Sequence, residues 1–255
     1  MNNNQFTILK YFSTTGKNIF SGFYSALKIS VYCIIILCAS CDSGDIYPDE
    51  VVHTGISVTA TFDLEHLEVF PTSYEILFGT FNDESDIPIV STTVTKPDEG
   101  TVVNVTLSSI PEGSTSMRLS IAKSGRKTFY TLYEMKLDVV PTESMVIPQQ
   151  TVDLLQYGRI QQQVFDQCIT CHGGTESAAA GLRLTEDKSY EDLVDVDSER
   201  SVKKRVSPYS IGNSFLIDVL TKDLNLSYQH NTSISSLKDD DVVLLEEWIR
   251  SGANN

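Results

Sequence analysis

Histidine, methionine, tryptophan and cysteine are all scarce in this chain, and the positions of the few copies rule out more than their numbers do. No disulfide framework is available. Of the five Cys, Cys33, Cys38 and Cys41 fall in the first 41 residues, which leaves Cys168 and Cys171 as the only pair in the body of the chain. No Met follows position 145, and only His172 and His230 lie in the last hundred residues. Positive charge is also lacking: 19 Lys and Arg face 34 Asp and Glu, a net charge of −15. That balance disfavours nucleic acid as a partner and favours a basic or cationic protein surface, drawn in by long-range attraction.

Acid is missing from one place only. The first forty residues contain Lys10, Lys17 and Lys28 but no Asp or Glu, and they end in the apolar stretch from Ile29 to Ala39. This reads as an export signal with a long n-region. Ala39-Ser40-Cys41 then leads at once into Asp42-Ser43-Gly44-Asp45. The arrangement resembles the lipobox of bacterial lipoproteins, with Cys38 where that family usually has Leu and Leu37 one place further back. The resemblance implies cleavage before Cys41, diacylation of its sulfur and a lipid anchor in the bacterial cell envelope, facing the periplasm or the surface. An uncleaved signal anchor is the alternative, because a helix from Phe20 to Ser40 would approach membrane-spanning length. Residues 1–40 are thus expected as signal and 41–50 as a tether. Either reading places the body of the chain outside the cytoplasm.

From about Val51 to Val140 the apolar residues alternate. Ile56, Val58, Ala60 and Phe62 are separated by Ser57, Thr59 and Thr61, the period of a half-buried strand. Similar runs span 74–81, 87–95, 101–107, 116–122 and 128–139, divided by turn-forming stretches such as Pro97-Asp98-Glu99-Gly100 and Pro111-Glu112-Gly113. Six or seven such strands predict a small β-sandwich over 51–140. It resembles the immunoglobulin and fibronectin types in architecture. The stretch has no Cys pair and no Trp, so the immunoglobulin hallmarks are missing, whereas the pattern Leu107-Ser-Ser-Ile110-Pro111-Glu-Gly113 is similar to a fibronectin loop and strand. His53 and His66 have no companion ligands in sequence and read as surface histidines.

Residues 141–150, with prolines at 141 and 148, read as a linker. The period then changes. Val152, Leu155, Ile160, Val164 and Phe165 fall at near-helical spacing, and residues 151–255 are expected to form a second, all-helical domain. Leu237 to Ala253 is a well-signalled closing helix with Asp239, Asp240 and Asp241 in its first turn, Arg250 near its end and Gly252 to close it. The expected fold class is therefore two-domain, all-β followed by all-α.

The first helical run leads into Cys168-Ile169-Thr170-Cys171-His172. Two thiols three apart can each add to a vinyl group of one haem, and the adjacent imidazole can then reach the iron, which is the attachment signature of haem c. The surroundings resemble the planctomycete-type cytochrome c domain over Ile160–Ala253. The matching segments are Gly173-Gly174 after the motif, Ala180-Gly181-Leu182-Arg183-Leu184, Ser214-Phe215-Leu216, and the closing Trp248-Ile249 with Gly252-Ala253. The resemblance implies a class I-like helical fold whose terminal helices cross beside the haem, an electron-carrying role, and redox partner proteins.

That family carries a Met-Pro pair whose thioether is the sixth iron ligand, and this chain has no Met after the motif. His230 stands about where the thioether would project. Bis-His coordination by His172 and His230 is expected, and with it a lower potential than Met/His ligation gives. Lys203-Lys204-Arg205, with Arg200 and Arg183 nearby in sequence, could neutralise the haem carboxylates; Arg183 is the better candidate for that role, and most of the cluster reads as a solvated face. Trp248 is expected in the core.

Other readings remain open at this point. A zinc site would draw on Cys168, Cys171, His172 and His230; a thioredoxin-like dithiol would need a strand, not a helix, before Cys168. An open distal position would instead make a haem enzyme or sensor with His230 as its acid-base group. A sandwich that recognises a glycan or a protein would make the chain a surface binding protein with an auxiliary haem, and Tyr130 and Tyr133 are its candidate aromatics.

Overall fold

In the computed structural model, residues 55–174, 178–234 and 237–255 are described. The expected signal, Cys41, the tether and His53 lie outside them. Seven strands come first: β1 (Val58–Glu65), β2 (Glu75–Phe81), β3 (Val90–Val94), β4 (Val102–Leu107), β5 (Ser116–Ala122), β6 (Thr128–Lys136) and β7 (Met145–Asp153). They form two sheets, one ordered β4-β1-β7 and the other β3-β2-β5-β6. All pairings are antiparallel except that of β1 with β7.

The alternation that announces β1 is the alternation that fills the core. Val58, Ala60, Phe62 and Leu64 are fully buried, and the residues between them are more exposed. Phe62 meets Phe78 and Tyr133 of the facing sheet edge-on, with ring centres 5.5 and 5.6 Å apart, so the two layers interlock through aromatic contacts.

β7 departs from expectation. Most of the stretch read as a linker is strand, with Ile147 buried and its neighbour Val146 74% exposed. Pro148 has no N–H to give to a ladder, and the parallel register slips between Ala60 and Phe62, opposite this proline. β7 lies at the edge of its sheet, where a proline is tolerated. The boundary between the β-rich and helical regions is therefore a strand running straight into a helix, and Val51–Asn255 forms one compact unit.

The helical region is smaller and its helices are short: α1 (Tyr157–Ile160), α2 (Ile169–His172), α3 (Ser189–Leu193), α4 (Phe215–Thr221), α5 (His230–Ser233) and the longer α6 (Asp239–Arg250). Among the described residues no helix is long and apolar enough to cross a membrane. Leu244, Leu245, Trp248 and Ile249 of α6 are buried, and the Trp248 ring lies 5.3 Å from that of Tyr157 in α1, as expected of a core tryptophan.

Polar groups weld these helices to each other and to the sandwich. Arg159 is fully buried and donates from Nε to Gln163 Oε1 (3.0 Å) and from Nη1 to the Leu154 carbonyl (2.7 Å). Gln163 Nε2 in turn donates to Asp241 Oδ1 (2.8 Å), whose other oxygen accepts the Lys238 backbone N–H (2.8 Å). The neighbouring Asp240 accepts from the backbone N–H groups of Thr72 and Ser73 in the sandwich, at 2.7 and 2.6 Å. Burial shifts both charged members towards neutrality: the Asp241 carboxyl is raised above its ordinary value and Arg159 is lowered to about 10. Removing Gln163 would take one hydrogen bond from a buried ionisable group on each side. We expect Gln163→Leu to cost ~2–4 kcal/mol in urea unfolding, while Gln162→Leu, on the exposed neighbour, stays within ~0.5 kcal/mol.

Candidate functional site

The chain approaches Cys168 through a widened turn. After α1 the helix continues as a π-turn over Gln161–Phe165, in which the Asp166 N–H reaches back five residues to the Gln161 carbonyl (2.9 Å). Two buried glutamines hold it open. Gln161 accepts from Ser189 Oγ (2.6 Å) and donates to the Leu184 carbonyl (2.9 Å), and Gln163 joins the junction network. Val164 and Phe165 are thereby turned into a pocket wall.

Cys168, Cys171 and His172 then share one helical turn, closed by the His172 N–H on the Cys168 carbonyl (3.0 Å). Both thiols are free; Cys168 is half-buried and lines the pocket, and Cys171 is exposed. Burial, reinforced by the Cys171 thiol, pushes the Cys168 thiol up to about 11. The chain turns back at Gly173, where a Cβ would stand 2.4 Å from the Ile169 carbonyl oxygen, so no other residue fits without displacing the backbone.

His172 is fixed in orientation and tautomer. Its Nδ1–H donates to the Leu182 carbonyl (3.1 Å), and the lone pair is left on Nε2. His230, at the start of α5, faces it with ring centres 6.3 Å apart and planes inclined by 34°. Two imidazoles on opposite sides of one metal, each nitrogen about 2 Å from it, have ring centres roughly 6 to 6.5 Å apart. His230 Nδ1 is buried and has no hydrogen-bond partner. Burial and then the neighbouring His172 lower its pKa, which favours the neutral imidazole that can donate a lone pair.

Between and around the two rings is a cavity of about 140 Å³ that opens to solvent. Its walls are apolar, with Phe165, Leu182, Leu193, Phe215 and Leu220 among them. Polar side chains come mainly from one loop, as Ser198, Glu199, Arg200 and Arg205. Among the described residues no three His, Cys, Asp or Glu side chains converge as a bare metal site would require. His172 and His230, beside these apolar walls, could hold a flat apolar group that carries its own metal.

Cys168, His172 and His230 line one pocket, whereas Cys171, next to His172 in the chain, is exposed and is not part of the lining. Arg183 is outside it too. Its guanidinium is engaged with Asp192 at 2.7 and 2.8 Å, its backbone N–H reaches the same carboxylate (2.9 Å), and it does not line the pocket. Arg200 and Arg205, read from sequence as part of a solvated face, line it in its place. No sequence signal separates these arginines, because the difference lies in which of them meets a carboxylate. The two candidate sugar-platform aromatics are tied inward: Tyr130 Oη donates to Gln156 Oε1 (2.6 Å) and Tyr133 packs on Phe62. His66 bonds through Nδ1 to Asp153 (2.8 Å) and takes no part in the pocket.

No protein-family model, curated protein or solved structure matches the chain.

The Arg183 pair has a pH signature. Hydrogen bonding from Arg183 holds the Asp192 carboxyl below its ordinary value of 3.8, so the stabilisation it brings is complete above that value and is lost as pH falls through the depressed one. In chemical unfolding across pH ~3–7, Arg183→Gln is expected to be less stable than the parent protein near neutrality, with the gap closing in acid.

Proposed function

We propose that the pocket holds one haem c, linked through Cys168 and Cys171 and ligated by His172 and His230, and that the protein is a monohaem cytochrome lipoprotein carrying single electrons in the bacterial envelope. The observation that carries this reading is the pair of imidazoles 6.3 Å apart across an apolar pocket, one turn from two free thiols. Attachment would form one S–C bond per thiol, with each thiol proton passing to the vinyl carbon chain. When bound, the group would supply a reversible one-electron iron couple.

The residues of this chain do the rest. Leu182, through its carbonyl, keeps the His172 ring oriented, and the walls of Val164, Phe165 and Phe215 exclude water and hold the local dielectric low. A second imidazole in place of a thioether lowers the potential, and the acidic chain favours the ferric state further. The helical region is read as class I-like cytochrome c and the two-sheet region as immunoglobulin- or fibronectin-like, serving as a spacer or docking module. The net charge of −15 favours a redox partner with a basic contact surface. Cys41 would carry the lipid anchor.

Expression of the full chain with a haem-maturation system tests the reading. We expect covalent haem, a low-spin ferric spectrum and a low potential in the parent protein, and a high-spin spectrum in His230→Ala. Spectra of His230→Ala identical to those of the parent would remove His230 from the iron, and loss of no haem on replacing Cys168 and Cys171 together would refute the attachment. For the anchor, metabolic labelling with radioactive palmitate should mark the parent protein and leave Cys41→Ser unlabelled.

A further inference from the structure

The positive charges around the pocket sort themselves by partner. Arg183 is paired with Asp192, Lys203 with Asp218, and Lys204 with Asp195 (3.0 Å). That leaves Arg200 and Arg205, for which no carboxylate lies within ion-pair distance among the described residues. In a chain with 34 acids this is unexpected on numbers alone, and these are the two arginines that line the cavity.

Arg205 is half-buried and well placed. Its Nη1 donates to the Asp192 carbonyl (2.8 Å), and its Nη2 to those of Ala180 (3.2 Å) and Gly181 (3.3 Å). Three carbonyls occupy part of a five-donor fork and hold the guanidinium still, but they bring no net negative charge to balance it. Arg200 is exposed at the same rim, and its described bond is through the backbone N–H, to Ser198 Oγ (3.1 Å). Glu199 is the acid lining the pocket here; it is exposed, with its carboxylate beside Gly181. A guanidinium fixed at the edge of an apolar cavity, which makes no direct ion pair among the described residues and feels Asp192 only at longer range, can take a carboxylate in a charge-assisted, two-pronged hydrogen bond.

We infer that Arg205, with Arg200 beside it, binds the carboxylate side chains of the macrocycle, so that the 198–205 loop marks the propionate edge of the bound group and its charge raises the iron potential. This rests on the haem reading above. Arg200 and Arg205 outweigh Glu199 at this rim, so the empty rim carries net positive charge that added carboxylates would offset. A positive charge near the iron disfavours the more positive ferric state, so its removal should lower the potential.

The experiment is a potential titration of the full, haem-loaded chain with Arg205→Gln, Arg205→Lys and Arg200→Gln, set against Lys204→Gln. The control changes net charge equally at a lysine already paired with Asp195 and outside the cavity. We expect Arg205→Gln to move the ferric/ferrous equilibrium about tenfold towards ferric, ~59 mV for a one-electron couple. Arg205→Lys should recover most of that shift, Arg200→Gln should move the equilibrium in the same direction by less, and Lys204→Gln should change it less than about twofold. Arg200 makes no described side-chain bond within the protein, so its variant keeps the test sharp if Arg205→Gln loosens the loop. Equal shifts in Arg205→Gln, Arg200→Gln and Lys204→Gln, in protein that carries covalent haem, overturn this assignment alone. Parent protein that takes up no covalent haem overturns the haem reading and this assignment together.

Discussion

The buried chain of hydrogen bonds from Leu154 through Arg159 and Gln163 to Asp241 is the constraint on which the helical half depends. Most of the helices are only four to seven residues long, too short to be stable by propensity. They persist because α1 and α6 are locked side by side and α6 is anchored to the sandwich through Asp240. An apolar contact of the same area would hold the helices together but would not specify their register as these hydrogen bonds do.

The pocket follows from that locking. With α1 pinned, the π-turn has to swing Val164 and Phe165 off the helix axis, and the next turn then presents Cys168 and His172 to the same space. The two imidazoles are not held alike. His172 has a carbonyl behind it that sets its tautomer, while His230 sits on a four-residue helix with its Nδ1 unpartnered. One side of the pocket is thus built as a fixed wall, and the other depends on the short α5 segment.

Much of this could be read from residues alone, for reasons that are physical. The strands were visible because half-buried sheets force a period of two, and α6 because acids, apolar face and terminal glycine agree. His230 stood out because it is the one other His after the motif. The strand β7 was hidden by Pro148, which breaks a ladder in the middle of a sheet but not at its edge. Gln163 and Asp241 occupy buried positions that periodicity assigns to apolar residues, so their pairing appears only in three dimensions. The same holds for Arg183 and Arg205: composition counts charges, and only the fold decides which carboxylate reaches which guanidinium.

The parallel run of β1 and β7 has a mechanical consequence. The chain comes into the sandwich at the Val58 end of β1, and both strands travel side by side to Glu65 and Asp153, where the helices begin. Eight residues of strand span roughly 26 Å. With no slack segment between β7 and α1, the sandwich behaves as a strut and not a leash. The pocket would stand off from the Val58 end of β1 by a distance that the sheet sets, and the sandwich and the pocket would move as one body.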